Sequence, residues 1–180
     1  MAGVQPGSAA SDVPKDRAAG KDEKLVVSKI EKGVVIDHLP FEDTEDVICV
    51  LGLYERGLRF FLGYRVCSTR YGEKTILKIP DIRVADLDLN RIAVVTRRAT
   101  VKLIEDYKVI RKINIKVPDA VRGIVRCPNP SCITNDPDEN RTHPDGTIFY
   151  KVRDDAEEGP LVLRCHYCEK TCKRGEYELL

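Results

Sequence analysis

The sequence predicts an α+β protein in two parts: an antiparallel sheet carrying two helices over residues 24–117, then a small all-β domain over residues 122–180. Three observations lead there. Residues 24–117 alternate β-branched, strand-like runs with two stretches of helical periodicity. Near Pro118 the texture changes to a segment rich in Pro, Asp and Gly that holds five of the seven cysteines. Four of those cysteines stand as two pairs, C-x4-C at Cys127 and Cys132 and C-x2-C at Cys165 and Cys168.

Taken in order, residues 1–23 are Gly, Ser, Ala, Pro and mixed charge with no apolar h-region, so a disordered leader is expected rather than a secretory signal. "KLVVSKIEKGVVIDHL" reads as a strand, a turn at Lys32–Gly33 and a second extended run. In "FEDTEDVICVLGLYERG", Val47, Val50, Leu51 and Tyr54 fall on one helical face; Asp43 or Thr44 can cap the helix and Gly57 can end it. "LRFFLGYRV" and "KTILKIP" flank the turn "CSTRYGE" and predict a hairpin. "DIRVADLDLNRIAVV" is the second helix, with Ile82, Ala85, Leu89 and Ile92 as its buried stripe. "ATVKLIEDYKVIRKINIKV" predicts two strands joined by a bend near Glu105–Asp106. A doubled β-α-β order with a spare strand gives a ferredoxin-like sheet with both helices on one face. Beyond a linker at about 117–122, short strands are expected at "GIVRC", "TIFYKVRD" and "LVLRC", and "ITNDPDENRTHPDG" is a surface loop.

The cysteine spacing suits a metal better than a disulfide framework. Pro128, Asn129 and Pro130 bar a helix between the first pair, and Cys165 closes a strand before a tight turn to Cys168. Four thiolates in a tetrahedron suit Zn²⁺ at ~2.3 Å and leave no position for water or substrate, so the site is structural and the second part is zinc-ribbon-like. A domain of about 60 residues buries too little surface to be secure alone, and zinc supplies on the order of 10–16 kcal/mol of folding free energy. Iron of the rubredoxin kind usually takes two C-x2-C knuckles, which this chain lacks. Cys172 is read as packing, Cys49 and Cys67 as core, and His166 as pointing to solvent.

The formal net charge is +1, and no apolar run approaches the roughly 20 residues of a membrane helix. Lys+Arg against Asp+Glu is 18 against 14 over residues 24–121, and 9 against 11 over 122–180. The alternative reading, a zinc-ribbon nucleic-acid-binding or transcription-associated protein, lacks its electrostatic footprint, since the cysteine-rich part is slightly acidic. No Ser/His/Asp set, open metal site or Gly-rich phosphate loop is visible.

Three stretches, "KLVVSKIEKGVVIDHLP", "ATVKLIEDYKVIRK" and "CPNPSC…CHYCEK", carry a resemblance to the regulatory chain of aspartate carbamoyltransferase that covers nearly all of residues 24–180. The resemblance implies a cytoplasmic, non-catalytic chain with one structural zinc on Cys127, Cys132, Cys165 and Cys168. Its first domain would bind nucleoside triphosphates, CTP and UTP as inhibitors and ATP as activator, in pyrimidine biosynthesis. Its zinc domain would clamp a catalytic chain through Asn129, Ser131 and Lys170, in a holoenzyme of two catalytic trimers and three regulatory dimers. It assigns the triphosphate to His38, Lys74, Lys78 and Lys112 and the ribose or base to Asp37, with Val27, Ile30, Ile104, Tyr107 and Val109 lining base and ribose. Read physically, Lys74 and Lys78 project from one face of an extended segment, and polar residues on the knuckles fit a switchable interface. Lys102 stands at a pocket position where a family member has Asn, and Ser28 where it has Glu. The loop between the cysteine pairs is longer, and the leader is an addition.

Overall fold

A computed structural model describes residues 28–69, 72–136, 146–153 and 159–180. The leader expected at residues 1–23, and residues 137–145 of the loop between the cysteine pairs, lie outside the described residues. Strands β1 (Gly33–Leu39), β2 (Phe61–Ser68), β3 (Gly72–Pro80), β4 (Thr100–Glu105) and β5 (Lys108–Asn114) form a five-stranded sheet in the order β2-β3-β1-β4-β5. Every neighbouring pair is antiparallel. Helices α1 (Thr44–Val50) and α2 (Leu89–Val95) connect β1 to β2 and β3 to β4. This is the ferredoxin-like β-α-β-β-α-β order with β5 added at one edge. A second antiparallel sheet holds β6 (Ala120–Arg122), β7 (Ile148–Arg153), β8 (Val162–Cys165) and β9 (Thr171–Lys173) in sequence order.

β1 is apolar on both faces because it is central. Val34, Ile36 and Leu39 join Val47, Ile48 and Ile92 of the helices in the main core. That core runs on without a break into Val121, Phe149 and Leu163 of the second sheet and Val125 just after β6. On the opposite face Val35 packs with Ile30, Ile76 and Ile104 in a smaller cluster.

Several elements differ from the sequence expectation. Residues 28–30 carry no strand; they run alongside the sheet, pinned where Lys78 Nζ donates to the Ser28 carbonyl at 2.8 Å. Residues 24–27 lie outside the described residues. The first helix stops at Val50 rather than near Gly57. Gly52 takes φ +59°, its N–H bonds to the Cys49 carbonyl, and the Leu53 N–H bonds back to the Ile48 carbonyl, which closes a Schellman cap. Gly57 closes a second turn of the same kind, and Tyr54 is left exposed. The second helix begins only at Leu89, because Leu87 and Asp88 are extended and the Asp88 carboxylate caps the N–H groups of Asn90 and Arg91. Ile82 and Ile92 are buried as expected, but Ala85 sits exposed in a 3-10 turn and Leu87 takes the inward position. The hairpin β2–β3 forms as read, and the β4–β5 bend falls at Asp106 and Tyr107, both with positive φ. In the second sheet the first strand is Ala120–Arg122, and of the run expected at residues 123–127 Val125 makes a single bridge to Leu179. Cys49 and Cys67 are exposed rather than core: α1 turns Val47 and Ile48 inward, and Cys67 lies on the outer edge strand β2. Cys172 packs in the core and His166 is exposed, as read.

Gly33 opens β1 with φ +135°, and a Cβ there would lie 2.3 Å from the Ile79 carbonyl oxygen and 2.9 Å from Pro80 Cα. Gly57 also has positive φ, but nothing lies within 4 Å of its would-be Cβ. Gly33→Ala is therefore expected to cost more than about 2 kcal/mol, since backbone must move. Gly57→Ala should cost about 1 kcal/mol, the ordinary left-handed penalty. Urea unfolding of the two variants checks the order; equal losses would contradict it.

Candidate metal centre and anion-binding face

The four paired cysteines converge at one place. Their sulfurs all lie within 4.8 Å of one another, with Cys127 Sγ 3.6 Å from Cys168 Sγ and Cys132 Sγ 3.8 Å from Cys165 Sγ. A tetrahedron with ~2.3 Å metal–sulfur bonds has sulfurs about 3.8 Å apart, so the donor set fits Zn²⁺ as it stands. Cys165 is the last residue of β8, and the turn after it returns the Glu169 N–H to the Cys165 carbonyl. The first knuckle is tied by Asn135, whose Nδ2 donates to the carbonyls of Cys127 and Asn129, each at 2.8 Å. Thr134 Oγ1 donates to Cys132 Sγ at 3.2 Å. Neither Thr134 nor Asn135 is marked out in the sequence; both fall in a stretch that reads only as polar loop.

Burial pushes the Cys127 and Cys165 thiols up. For Cys168 burial works the same way, but the Lys170 N–H and the Asn129 side chain outweigh it and hold that thiol at about 7. Bound zinc supplies the positive charge that buried thiolates otherwise lack. All four positions are then filled by sulfur, so the centre is structural. Asn129 is half-buried in the first knuckle and its Oδ1 accepts from the Ser131 N–H at 3.1 Å; Ser131 and Lys170 are exposed beside the cluster.

The second constellation lies on the sheet face turned away from the helices. Strand alternation puts Lys74, Ile76 and Lys78 of β3 on this face, with Val35 and Asp37 of β1 and Lys102 and Ile104 of β4. Val35 is the register partner of both Lys78 and Lys102, and Lys102 is the partner of Lys112. Lys78, Lys102 and Lys112 thus form one row across four strands. Val109 pairs with Ile104, and Tyr107 stands in the turn between β4 and β5.

Asp37 is the hub. It is 4% exposed, and its carboxylate takes Lys74 Nζ at 2.9 Å, Lys102 Nζ on the other oxygen, and the His38 N–H at 2.8 Å. Burial alone would raise its pKa, but the two ammonium groups outweigh it and bring the carboxyl down to about 2. Burial lowers the Lys78 pKa, with the Asp37 charge opposing. His38 sits at a β-bulge with φ +62°, which lets Leu39 take the core position and turns the imidazole to 3.5 Å from Asp37.

The structure therefore brings Asp37, His38, Lys74 and Lys102 into contact and places Ile30, Lys78, Ile104, Val109 and Lys112 on the same face. Ile30 and Tyr107 line one recess, and His38 and Lys74 line another of about 200 Å³. Arg65 and Arg98 also line that second recess. Sequence reasoning missed both, since nothing in β2 or after α2 signals that they meet His38. Val27 lies outside the described residues. Among the described residues no helix is long and apolar enough to cross a membrane.

Because the Asp37 pKa is lower in the folded chain, its contribution is present above the ordinary 3.8 and is lost as pH falls towards about 2. The shift corresponds to about 2 kcal/mol. Asp37→Asn should be less stable than wild type by roughly this amount at pH 6, with the gap closing between pH ~4 and ~2. Denaturant unfolding across that range checks it, and a gap independent of pH would contradict it.

Comparison with known proteins assigns the first sheet to an allosteric domain and the cysteine cluster to a metal-binding domain. A family model described as the aspartate carbamoyltransferase regulatory chain, allosteric domain, matches residues 25–116. A second, described as that chain's metal binding domain, matches residues 119–178. The chain is 41% identical over 155 residues to the aspartate carbamoyltransferase regulatory chain of Pyrococcus abyssi, covering 85% of this chain and 95% of the relative. It is 37% identical over 155 residues to that of Thermococcus kodakarensis, covering 86% and 95%. To that of Bacteroides fragilis it is 35% identical over 158 residues, covering 88% and 97%. With both family models matched and this similarity spanning nearly the whole of each relative, the chain belongs to the family of aspartate carbamoyltransferase regulatory chains, a non-catalytic family with an allosteric and a metal-binding domain.

Proposed function

We propose that the cation-lined sheet face binds a nucleoside triphosphate and that the chain passes the resulting bias to a catalytic chain docked on its cysteine-bound part. The observation that carries this reading is the row of Lys78, Lys102 and Lys112 beside Lys74, with Lys74 and Lys102 sharing one buried carboxylate. Four ammonium groups against one Asp leave a net positive surface suited to three linked phosphates. His38 adds a donor at the recess it shares with Lys74. Ile30, Ile104, Val109 and Tyr107, with Val27, supply the apolar wall for base and ribose.

Asp37 takes a second role in this reading. Its oxygens are occupied by Lys74, Lys102 and the His38 N–H, so in the free chain it orients the cations rather than waiting for ribose. Lys102, where a family member has Asn, adds charge for phosphate at a position that would otherwise help discriminate bases. CTP and UTP act as inhibitors and ATP as activator. Asn129, Ser131 and Lys170 meet the catalytic chain, in a cytoplasmic assembly of two catalytic trimers and three regulatory dimers. Binding works by linkage: a nucleotide that prefers one quaternary state shifts the equilibrium by its difference in affinity, typically about 1–3 kcal/mol.

Calorimetry of the zinc-loaded chain should show CTP and ATP binding in the micromolar-to-millimolar range. Lys74→Ala and Lys78→Ala should each weaken binding about tenfold, near 1.4 kcal/mol. Absence of heat with every nucleoside triphosphate would overturn the reading. Co-expressed with the catalytic chain, the protein should co-elute as a large complex. A chelator should dissolve that complex, because the knuckles lose the ion that closes them; a complex indifferent to metal removal would place the docking surface elsewhere.

A further inference from the structure

The candidate effector face and the cysteine cluster belong to different sheets, and among the described residues several arginines join those sheets beside the shared apolar core. Arg91 of α2 donates to the backbone carbonyls of Gly123 and Leu180, and Arg97 donates to the carbonyl of Gly159. Those contacts hold main chain. Arg174 is different, because it joins side-chain charges across the boundary: its Nη2 lies 2.8 Å from Asp43 Oδ1 and 3.1 Å from Asp46 Oδ2.

Both ends of this contact sit where movement would be transmitted. Asp43 stands six residues after Asp37, at the end of the 3-10 turn Phe41–Asp43 that follows directly from β1 and His38. Asp46 lies in the first turn of α1. Arg174 follows β9 directly; β9 pairs with β8, and β8 ends at Cys165. A short, continuous path therefore leads from the Asp37–His38 bulge through Pro40 to Asp43, across to Arg174, and along β9 and β8 to the cysteine cluster.

The contact sets a buried acid beside an exposed one on a single guanidinium nitrogen. Asp43 is 7% exposed, so its carboxylate depends on Arg174 for a counter-charge. Burial raises the Asp43 pKa while Arg174 opposes, with Glu42 and Asp46 adding negative charge nearby. Asp46 is half-exposed and offers the same guanidinium a second, solvated partner a few ångströms away. The same Nη2 bridges both acids, so Arg174 ties the turn after β1 and the start of α1 to the end of β9 at one point.

We propose that Arg174 is a positioning residue that couples the effector face to the metal-bound sheet, by holding the turn after β1 through Asp43. This rests on the reading of the lysine-lined face as the effector site. It predicts that loss of the latch uncouples sensing from output without weakening sensing.

The test uses the holoenzyme formed with the catalytic chain, carrying Arg174→Gln, Asp43→Asn or Arg174→Lys. CTP affinity of the full regulatory chain is measured by calorimetry, and the CTP-induced shift in aspartate half-saturation is measured on the holoenzyme. Expected for Arg174→Gln is CTP affinity within about twofold of wild type, against a wild-type coupling of about 5–150-fold that falls close to one. Asp43→Asn, which keeps the side-chain shape, should lose most of the shift and serves if Arg174→Gln fails to assemble. Arg174→Lys, which retains one charged donor for Asp43, should restore part of the shift, as a purely structural filler would not. An undiminished shift in Arg174→Gln or Asp43→Asn, with normal CTP affinity, overturns the latch alone. Absence of CTP binding to wild type overturns the effector reading and the latch with it.

Discussion

Strand β1 is buried on both faces, and the rest of the molecule is arranged by what that requires. Its helix side, Val34, Ile36 and Leu39, anchors the core that α1 and α2 complete. Its other side places Val35 and Asp37 among the lysines of β3 and β4. A carboxylate so deeply buried persists because two ammonium groups share it, and those groups are drawn towards the middle of the sheet in return. The strand is closed at its start by Gly33, where no side chain fits against Ile79, and bent at its end by the bulge that turns His38 out of the core. One segment of seven residues thus supplies core, charge hub and exit path together.

The second sheet solves a different problem. It is short-stranded, and its loops carry Pro and polar residues that cannot pack. Two devices compensate. One is the set of converging sulfurs, whose knuckles are braced by Asn135 and Thr134 before any ion is considered. The other is continuity with the first core: Val121, Val125, Phe149 and Leu163 pack into the same apolar cluster as the helices. The metal-bound part is therefore wedded to the helix side of the first sheet, while the lysine row lies on the far side. The turn at Phe41–Asp43 leads from the end of β1, beside the Asp37 hub, towards the helix side where the second sheet is seated.

Polar groups at the boundary between the sheets add to this picture. Tyr177 is half-buried; its hydroxyl has no hydrogen-bond partner among the described residues, and burial pushes its pKa up to about 12. It lines a groove with Val50, Val94 and Val95 on one side and Leu179 and Leu180 on the other. Among the described residues, that boundary combines apolar contacts, arginine bonds to main-chain oxygens and the forked ion pair of Arg174.

Local chemistry determined a good deal from the sequence alone. Cysteine spacing with intervening prolines specified a closed four-sulfur centre, because ligand number and loop stiffness are local properties. Alternation put Lys74 and Lys78 on one face, because side-chain direction in a strand has period two, and the turn between two strand-like runs marked the β2–β3 hairpin. Helix ends were read less well: Gly52, rather than Gly57, closes α1, and Asp88 delays α2, since capping depends on backbone angles that periodicity does not reveal. What only the tertiary structure decided was register. That Lys78, Lys102 and Lys112 share one cross-strand row, that Asp37 pairs with Lys74 and Lys102, and that Arg174 reaches Asp43, all depend on residues dozens of positions apart meeting in one place. Strand order and the angle between sheets set those meetings, and both follow from burying the whole apolar surface at once rather than from any single segment.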